Sequence, residues 1–216
     1  MKNVFQLEPK GSLGLVGCFM ARYIKENAFY SFFKTGGFSI YLPFKINVKH
    51  INELAPQSLD FIGISYYSHA YMENFSLKRD IKRVPTANPL YVIYAEGLYR
   101  AIQEVSELLA APLNIPIYIT ENGTAALSDE TRSLFFKQYL FALSRAIQDG
   151  YDVRGYFYWS IMDNYEWRDY NRRYGLYHVD FETQARTLKG GTQHFIDVVN
   201  WKIGKRIPEF DIEKLD

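Results

Sequence analysis

The chain has 216 residues, of which 48% are hydrophobic and 23% charged, so it is long enough for one domain with a substantial core and is not disordered by composition. Its formal net charge is +1, which gives no electrostatic basis for binding nucleic acid or an anionic membrane surface. Aromatic residues make up 17% of the chain, and their faces suit both large cores and the apolar faces of sugar rings.

The first third of the chain predicts a strand followed by a long helix. The strand covers Asn3–Leu7, and the amphipathic helix runs from about Leu15 to Phe33 and ends at Gly36-Gly37. The apolar run Gly11–Ala21 has about the length of a signal peptide, but it follows a mixed-charge stretch, so we interpret it as the start of the helix. Cys18 has no second cysteine to pair with, which is consistent with a reducing compartment and predicts a cytoplasmic protein. No apolar run reaches the ~18–20 residues that span a bilayer.

The middle of the chain continues the alternation of strand and helix. Leu59–Tyr67 is apolar nearly throughout, as expected for a parallel strand covered on both faces. Residues 70–88 are predicted to form a long polar loop. A helix from about Leu90 to Leu109 and a strand at Ile115–Thr120 follow.

The last third predicts a capped helix, a strand and a final helix. Ser128 is a good N-cap, because acidic residues follow it in the first turn, and the helix ends at Gly150. Its apolar face is predicted to contain Phe136, Leu140, Leu143 and Ile147. A strand at Val153–Ile161 and a helix at about Gly191–Trp201 complete the pattern.

This alternation predicts an α/β fold with a parallel sheet and right-handed crossovers, either doubly wound or part of a (β/α)8 barrel. In both architectures, functional groups gather at the carboxyl ends of the strands. The glycine-rich fingerprints of dinucleotide and phosphate loops do not follow any predicted strand, which favours the barrel.

Three strand ends carry polar or aromatic groups. One ends in Ser65-Tyr66-Tyr67, the next in Glu121-Asn122, and the third in Trp159-Ser160, followed by residues 163–167 (Asp-Asn-Tyr-Glu-Trp). Each group also has a plain structural interpretation, as a solvated loop acid or a core aromatic. Their joint occurrence favours a sugar site, in which a carboxylate reacts at the anomeric carbon and aromatic rings support the sugar.

The segments that contain these strand ends resemble glycoside hydrolase family 1, the β-glucosidase family. They are DFIGISYYS (60–68), YITENG (118–123) and YFYWSIMDNYEWRDYNRRYGLYHVDFETQARTLK (156–189). The resemblance extends from residue 59 to about residue 201. It implies a (β/α)8 TIM barrel that hydrolyses β-glycosides or oligosaccharides with retention of configuration, and that uses no cofactor or metal.

The resemblance also implies catalytic roles. Glu121 resembles the catalytic nucleophile, and Tyr67 resembles the tyrosine that hydrogen-bonds to that nucleophile. Ser65 stands where the family usually has asparagine, so one polar substrate contact differs from the family pattern.

Sugar-binding roles follow in the same way. Trp159 resembles the platform under the glycon ring, and Glu166 and Trp167 resemble the pair that holds glycon hydroxyls. A carboxylate at Glu166 would repel a 6-phosphate, so a neutral sugar is expected, with glucose, galactose and fucose all compatible.

The family's second catalytic glutamate has no counterpart in the sequence. It belongs to a Thr-x-Asn-Glu-Pro motif, and the nearest string, Ile51-Asn52-Glu53-Leu54, lacks the proline and precedes a strand. We interpret Asn52-Glu53 as a coincidental match. The resemblance therefore implies that residues 1–216 form one partial catalytic domain, the carboxyl-terminal half of the barrel (about strands 5–8), without its N-terminal half.

Half a barrel would have two open sheet edges and an exposed apolar lumen. We therefore expect the chain to bind the missing N-terminal half, to self-associate or to aggregate. The favoured function is a retaining β-glycosidase that is incomplete without its acid/base glutamate. The alternatives are a catalytically inactive carbohydrate-binding or interaction fragment, and an unfolded gene remnant.

Overall fold

A computed structural model describes residues 2–200, without the side chains of residues 2–5, 25 and 27. The strands are β1 (Lys2–Lys10), β2 (Gly37–Leu42), β3 (Ile46–Ile51), β4 (Ile62–Glu73), β5 (Ser76–Lys78), β6 (Ile117–Asn122), β7 (Val153–Tyr158), β8 (Tyr177–Val179) and β9 (Arg186–Leu188). The helices are α1 (Gly11–Arg22), α2 (Ala28–Thr35), α3 (Ala95–Val105), α4 (Ala111–Leu113), α5 (Asp129–Gln148) and α6 (Gln193–Val199). Two π-helical segments join α1 to α2 and α3 to α4, and a short 3-10 turn precedes β4.

The main sheet has the order β1-β4-β6-β7, with every neighbouring pair in this path parallel. Strands that follow one another in the chain are therefore neighbours in space. Alternate residues of β4 and β6, among them Ile64 and Ile119, are fully buried in one core with the apolar faces of α3 and α5. A doubly wound sheet carries helices on both faces, so this one-sided arrangement agrees with the predicted partial barrel.

The opposite face of the same sheet carries exposed aromatic side chains. Phe61 contacts Tyr118 edge to face with ring centroids 5.2 Å apart, and yet Phe61 is 50% exposed. Phe157 on β7 is 58% exposed. Within residues 2–200, no helix covers these rings, so this face, called here the uncovered face, presents apolar surface to solvent.

The four predicted strands of the main sheet are confirmed, with shifted ends. Strand β4 begins at Ile62 and continues to Glu73, well past the predicted end at Tyr67. The first residues of the predicted polar loop 70–88 therefore belong to a strand. There β5 pairs antiparallel with β4 through a turn at Asn74 and Phe75, both with positive φ. Strand β6 extends through Asn122 and includes Glu121, so the acid lies within the strand.

The helix predicted from Leu90 begins only at Ala95, and this boundary was wrong for a non-local reason. Side chains from distant elements bind the backbone just before it. The hydroxyl of Ser68 accepts from the Val92 N–H at 2.8 Å, and the hydroxyl of Tyr139 accepts from the Tyr94 N–H at 3.1 Å. These bonds hold the preceding segment in an extended conformation.

The remaining helices agree with prediction in type. The first helical region is continuous from α1 through α2 and stops before Gly36, whose φ is +78°. Ser128 caps α5 by accepting from the Thr131 N–H at 3.2 Å, as predicted. Ile147, however, is 47% exposed, so its predicted place on the apolar face of α5 was wrong. The buried face of α5 instead consists of Arg132, Phe135, Phe136, Tyr139, Leu140, Ala142 and Ala146.

Two hairpins, β2–β3 and β8–β9, were not predicted. The predicted last helix is present as α6, and Trp201 lies outside the described residues. No helix among residues 2–200 combines the length and the apolar character needed to cross a membrane.

Candidate active site

The position of Glu121 depends on an irregularity between β4 and β6. The strands pair Ile64 with Ile119, but the next pair is Ser65 with Glu121, so Thr120 is the extra residue of a β-bulge. The hydroxyl of Thr120 donates to the Ile64 carbonyl at 3.2 Å, which stabilises the bulge. As a result, Glu121 faces Ser65 directly across the sheet.

Two hydroxyl groups of β4 donate to the same oxygen of Glu121. Ser65 Oγ lies 3.0 Å and Tyr67 Oη 3.1 Å from Oε2 of the carboxylate. Burial raises the pKa of Tyr67, and the nearby charge of Glu121 raises it further, so the phenol remains a proton donor at neutral pH. The carboxylate is thus held at one oxygen by two donors.

The next residue, Asn122, fixes the strand end from the other side. It is fully buried, its Nδ2 donates to the Tyr66 carbonyl at 2.7 Å, and its Oδ1 accepts from the hydroxyl of Tyr156 at 2.7 Å. Gly123 follows at a point of close backbone approach: a Cβ there would lie 1.9 Å from the carbonyl oxygen of Trp159. Only glycine fits at this position without moving one of the two chains.

Trp159 and Glu166 form the second polar pair of the site. Trp159 immediately follows β7, and its indole Nε1 donates to Oε1 of Glu166 at 2.6 Å. Glu166 is only 7% exposed. The peptide bond between Trp159 and Ser160 is cis.

A tight turn follows Glu166. Glu166 and Asp169 exchange two backbone hydrogen bonds of 2.9 Å each, with Trp167 and Arg168 between them at φ values of 47° and 69°. A turn of this kind normally uses glycine or asparagine, because side chains make left-handed backbone costly by about 1 kcal/mol or more per residue. The turn leaves the Trp167 ring 89% exposed at the mouth of the site.

The loop that carries Trp159 and Glu166 is anchored by a buried carboxylate, Asp163. Its Oδ1 accepts from the Gly175 N–H at 2.9 Å and from the ammonium group of Lys189, which immediately follows β9. Arg173 and His178 lie 3.7 and 3.5 Å from its second oxygen. Burial lowers the pKa of Lys189, and its hydrogen bond to Asp163 partly offsets this lowering. We call Asp163 and Lys189 the loop anchor.

All six residues proposed from the sequence line one cleft of about 750 Å³, a size suited to small-molecule ligands. They are Ser65, Tyr67, Glu121, Trp159, Glu166 and Trp167. Glu53, by contrast, is exposed in a turn before β4 and does not line the cleft, which agrees with its interpretation as a coincidental match.

Six further residues line the cleft, and sequence reasoning assigned none of them to the site. Asn164 and Tyr165 belong to the stretch 163–167 noted in the sequence, and the other four are Asn88, Tyr91, Arg172 and Tyr174. Tyr91 stacks on Tyr67 with centroids 5.9 Å apart, and Tyr174 meets Tyr67 edge to face at 6.0 Å. Arg172 pairs with Asp169 at 3.1 Å. Asn88 lies at the end of the predicted polar segment 70–88, and Tyr91 lies at the predicted start of the following helix. No local sequence pattern there indicates a site.

The cleft contains two carboxylates from the described residues, Glu121 and Glu166. Within residues 2–200 no group of three or more His, Cys, Asp or Glu side chains is arranged to hold a metal ion. What the arrangement offers is a carboxylate with fixed orientation beside hydrogen-bonding and aromatic groups suited to a sugar ring.

Comparison with known proteins gives one consistent family. The model of glycosyl hydrolase family 1 matches residues 20–203. A 6-phospho-β-galactosidase from Streptococcus mutans is 36% identical, with 63% of this chain and 36% of that protein covered.

Solved structures show the same relationship. A β-glycosidase from Pyrococcus horikoshii is 30% identical with a TM-score of 0.70, covering 88% of this chain and 45% of that one. A β-glucosidase from Thermotoga maritima in complex with glucoimidazole is 26% identical with a TM-score of 0.71, covering 92% and 49%. The chain therefore spans about half the length of these structures, and its sheet corresponds to part of a (β/α)8 barrel, as predicted.

Proposed function

The chain belongs to glycosyl hydrolase family 1, and on that basis we propose that it forms the carboxyl-terminal half of a retaining β-glycosidase with Glu121 as the nucleophile. The observation that supports this most directly is the orientation of the Glu121 carboxylate, held at one oxygen by Ser65 and Tyr67 inside the cleft. In the proposed reaction, Glu121 attacks the anomeric carbon as the leaving group departs. Water then hydrolyses the glycosyl ester, which restores the original configuration.

Trp159 and Glu166 are the proposed sugar-binding pair. The Trp159 N–H occupies Oε1 of Glu166, so the other oxygen can accept hydrogen bonds from glycon hydroxyls, while the indole face supports the ring. We propose a neutral glycon, because a phosphate in this part of the cleft would face the Glu166 charge. Arg172 could offset that charge, but its guanidinium is already paired with Asp169.

A retaining mechanism needs a second carboxyl group about 5–5.5 Å from the nucleophile, to act as acid and base. Glu166 is engaged by Trp159, and the cleft has no third carboxylate from residues 2–200. We therefore propose that residues 1–216 are a partial catalytic domain and that the acid/base comes from a barrel half outside this sequence. That half would add parallel strands beside β1 and β7 and cover the uncovered face.

The test of this function is covalent labelling with 2,4-dinitrophenyl 2-deoxy-2-fluoro-β-glucoside. Its leaving group needs no protonation, so the reagent should react without the acid/base. We expect a mass increase of one fluoroglucosyl group, mapped by peptide sequencing to Glu121. The 6-phosphorylated reagent should react more slowly, in contrast to what the name of the Streptococcus mutans relative would suggest.

Labelling at another residue, or no labelling with or without a supplied N-terminal half, would contradict the nucleophile assignment. Faster labelling by the phosphorylated reagent would overturn only the neutral glycon. A catalytically inactive sugar-binding fragment is the second candidate, favoured because residues 2–200 contribute two carboxylates to the cleft and no third. It would bind β-glucosides equally well after Glu121→Gln and give no turnover in any assembly.

The uncovered face predicts association. We expect the purified chain to elute as a dimer or larger species in size-exclusion chromatography with light scattering, because Phe61 and Phe157 are both at least half exposed. Phe157→Lys should shift the distribution towards monomer. Phe75→Lys is the matched control, since Phe75 is 56% exposed in the β4–β5 turn, away from this face. A monodisperse wild-type monomer with a cooperative melting transition would contradict the prediction.

A further inference from the structure

The two hydroxyl groups that contact Glu121 both bind the same oxygen of its carboxylate. Ser65 and Tyr67 both donate to Oε2, at 3.0 and 3.1 Å. Among residues 2–200, no other side chain hydrogen-bonds to this carboxylate. Oε1 therefore keeps its lone pairs for an external electrophile, while Oε2 is fixed in place.

Ser65 is placed for this contact by the backbone, independently of any sugar. The bulge at Thr120 puts Glu121 opposite Ser65, whereas regular pairing would have put Thr120 there. Ser65 is only 2% exposed, so its hydroxyl is not simply a solvated group that touches the acid by chance. Its single proton is used in the bond to Glu121 and is not available to a substrate hydroxyl.

We propose that Ser65 is a positioning residue for the nucleophile, acting with Tyr67 on Oε2 so that Oε1 is the attacking oxygen. This inference rests on the proposed function and assigns Ser65 to the nucleophile instead of the sugar. In the glycosylation step the Oε1–C1 bond forms while the bond from C1 to the leaving group breaks, and the leaving group departs with the electron pair as a phenolate. Oε2 becomes the carbonyl oxygen of the ester.

The two donors then serve both halves of the reaction. When the ester forms, the negative charge on the carboxylate disappears, and when water displaces the sugar, that charge returns. Donors fixed at Oε2 stabilise the carboxylate as leaving group in the second step without having to reorganise. A hydroxyl that only filled space would not have this effect.

The first test compares the labelling rate of Ser65→Ala with that of the wild type at neutral pH. Because the variant lacks one of the two donors that fix Oε2, the labelling rate should fall by about tenfold. Ser65→Thr, which keeps the hydroxyl, should label at close to the wild-type rate, and Ser65→Cys, a weak donor of similar size, should behave like alanine.

Ser68→Ala is the matched control. Ser68 lies three residues further along β4, is fully buried, and bonds to the backbone of Val92 instead of Glu121. We expect it to lower the melting temperature while leaving the labelling rate unchanged. This separates positioning of the nucleophile from a general structural contribution.

A second readout does not require activity. In protein carrying a ¹³C label at glutamate carboxyl carbons, the Glu121 resonance, assigned with Glu121→Gln, should shift in Ser65→Ala and not in Ser68→Ala. An unchanged resonance together with an unchanged labelling rate would overturn the positioning role. A shifted resonance in a protein that never labels would keep the contact and reject the proposed function, so the two failures are distinguishable.

Discussion

Replacing Glu121 with alanine is expected to lower turnover of 2,4-dinitrophenyl β-glucoside by at least about a thousandfold, since the variant has no atom that can bond to the anomeric carbon. Azide should restore part of the activity, because it fits the space left by the carboxylate and attacks C1 directly. A single displacement gives the α-glycosyl azide, with inverted configuration. The measurement is the rate of dinitrophenolate release with and without azide, with the product identified by NMR.

Glu53→Ala is the control for this experiment. Glu53 belongs to the Asn52-Glu53 string that partly matches the family's acid/base motif, but it is exposed and outside the cleft. Its loss should leave the rate unchanged. Full activity in Glu121→Ala, or a β-configured azide product, would show that Glu121 is not the group that forms the covalent intermediate.

Asp163→Asn is expected to have the largest effect on stability. Asp163 is fully buried and its partner Lys189 is 11% exposed, so the variant leaves a buried ammonium group without its counter-charge. Breaking such a pair from one side typically costs ~3–5 kcal/mol. For a chain of this length that corresponds to a fall of roughly 10 °C in Tm.

Differential scanning calorimetry measures the fall in Tm of Asp163→Asn. We also expect a second effect, on sugar binding. Because Asp163 anchors the segment that carries Glu166, the Trp159–Glu166 pair should lose its fixed position in the variant. The variant should therefore bind β-glucosides more weakly than the wild type, even at temperatures where it is still folded. Asp152→Asn is the matched control, since Asp152 forms an exposed ion pair with Arg154, and its Tm should stay close to the wild-type value. Equal Tm values for Asp163→Asn and Asp152→Asn would contradict the stabilising role of the loop anchor.

The parallel sheet and the main site residues were accessible from the sequence, because their signals are local. A parallel strand buried on both faces, as β4 is over residues 62–66, reads as a nearly continuous apolar run, and a parallel fold brings the residues after such runs to one rim. Tyr67, Glu121 and Trp159 can therefore be grouped from the sequence alone. The resemblance to a family supplied their roles, which geometry alone would have left as candidates.

The parts that could not be predicted depend on contacts between distant residues. The helix start at Ala95 is delayed by the hydroxyls of Ser68 and Tyr139, which are 24 and 45 residues away from the backbone groups that they bind. The cleft residue Tyr91 lies in that extended segment, so its place in the site was hidden with it. The bulge at Thr120 leaves no mark in the sequence, although it decides which residue faces Ser65.

Gly123 has a consequence for engineering. Because Gly123, two residues after Glu121, packs directly against the Trp159 carbonyl, contact between the two main chains sets the spacing between Glu121 and Trp159. Side-chain libraries cannot tune that spacing, and any residue larger than glycine at this point would push the two apart. Attempts to change substrate preference should therefore leave this contact alone and vary the rim at Trp167, whose exposed ring has room to be replaced.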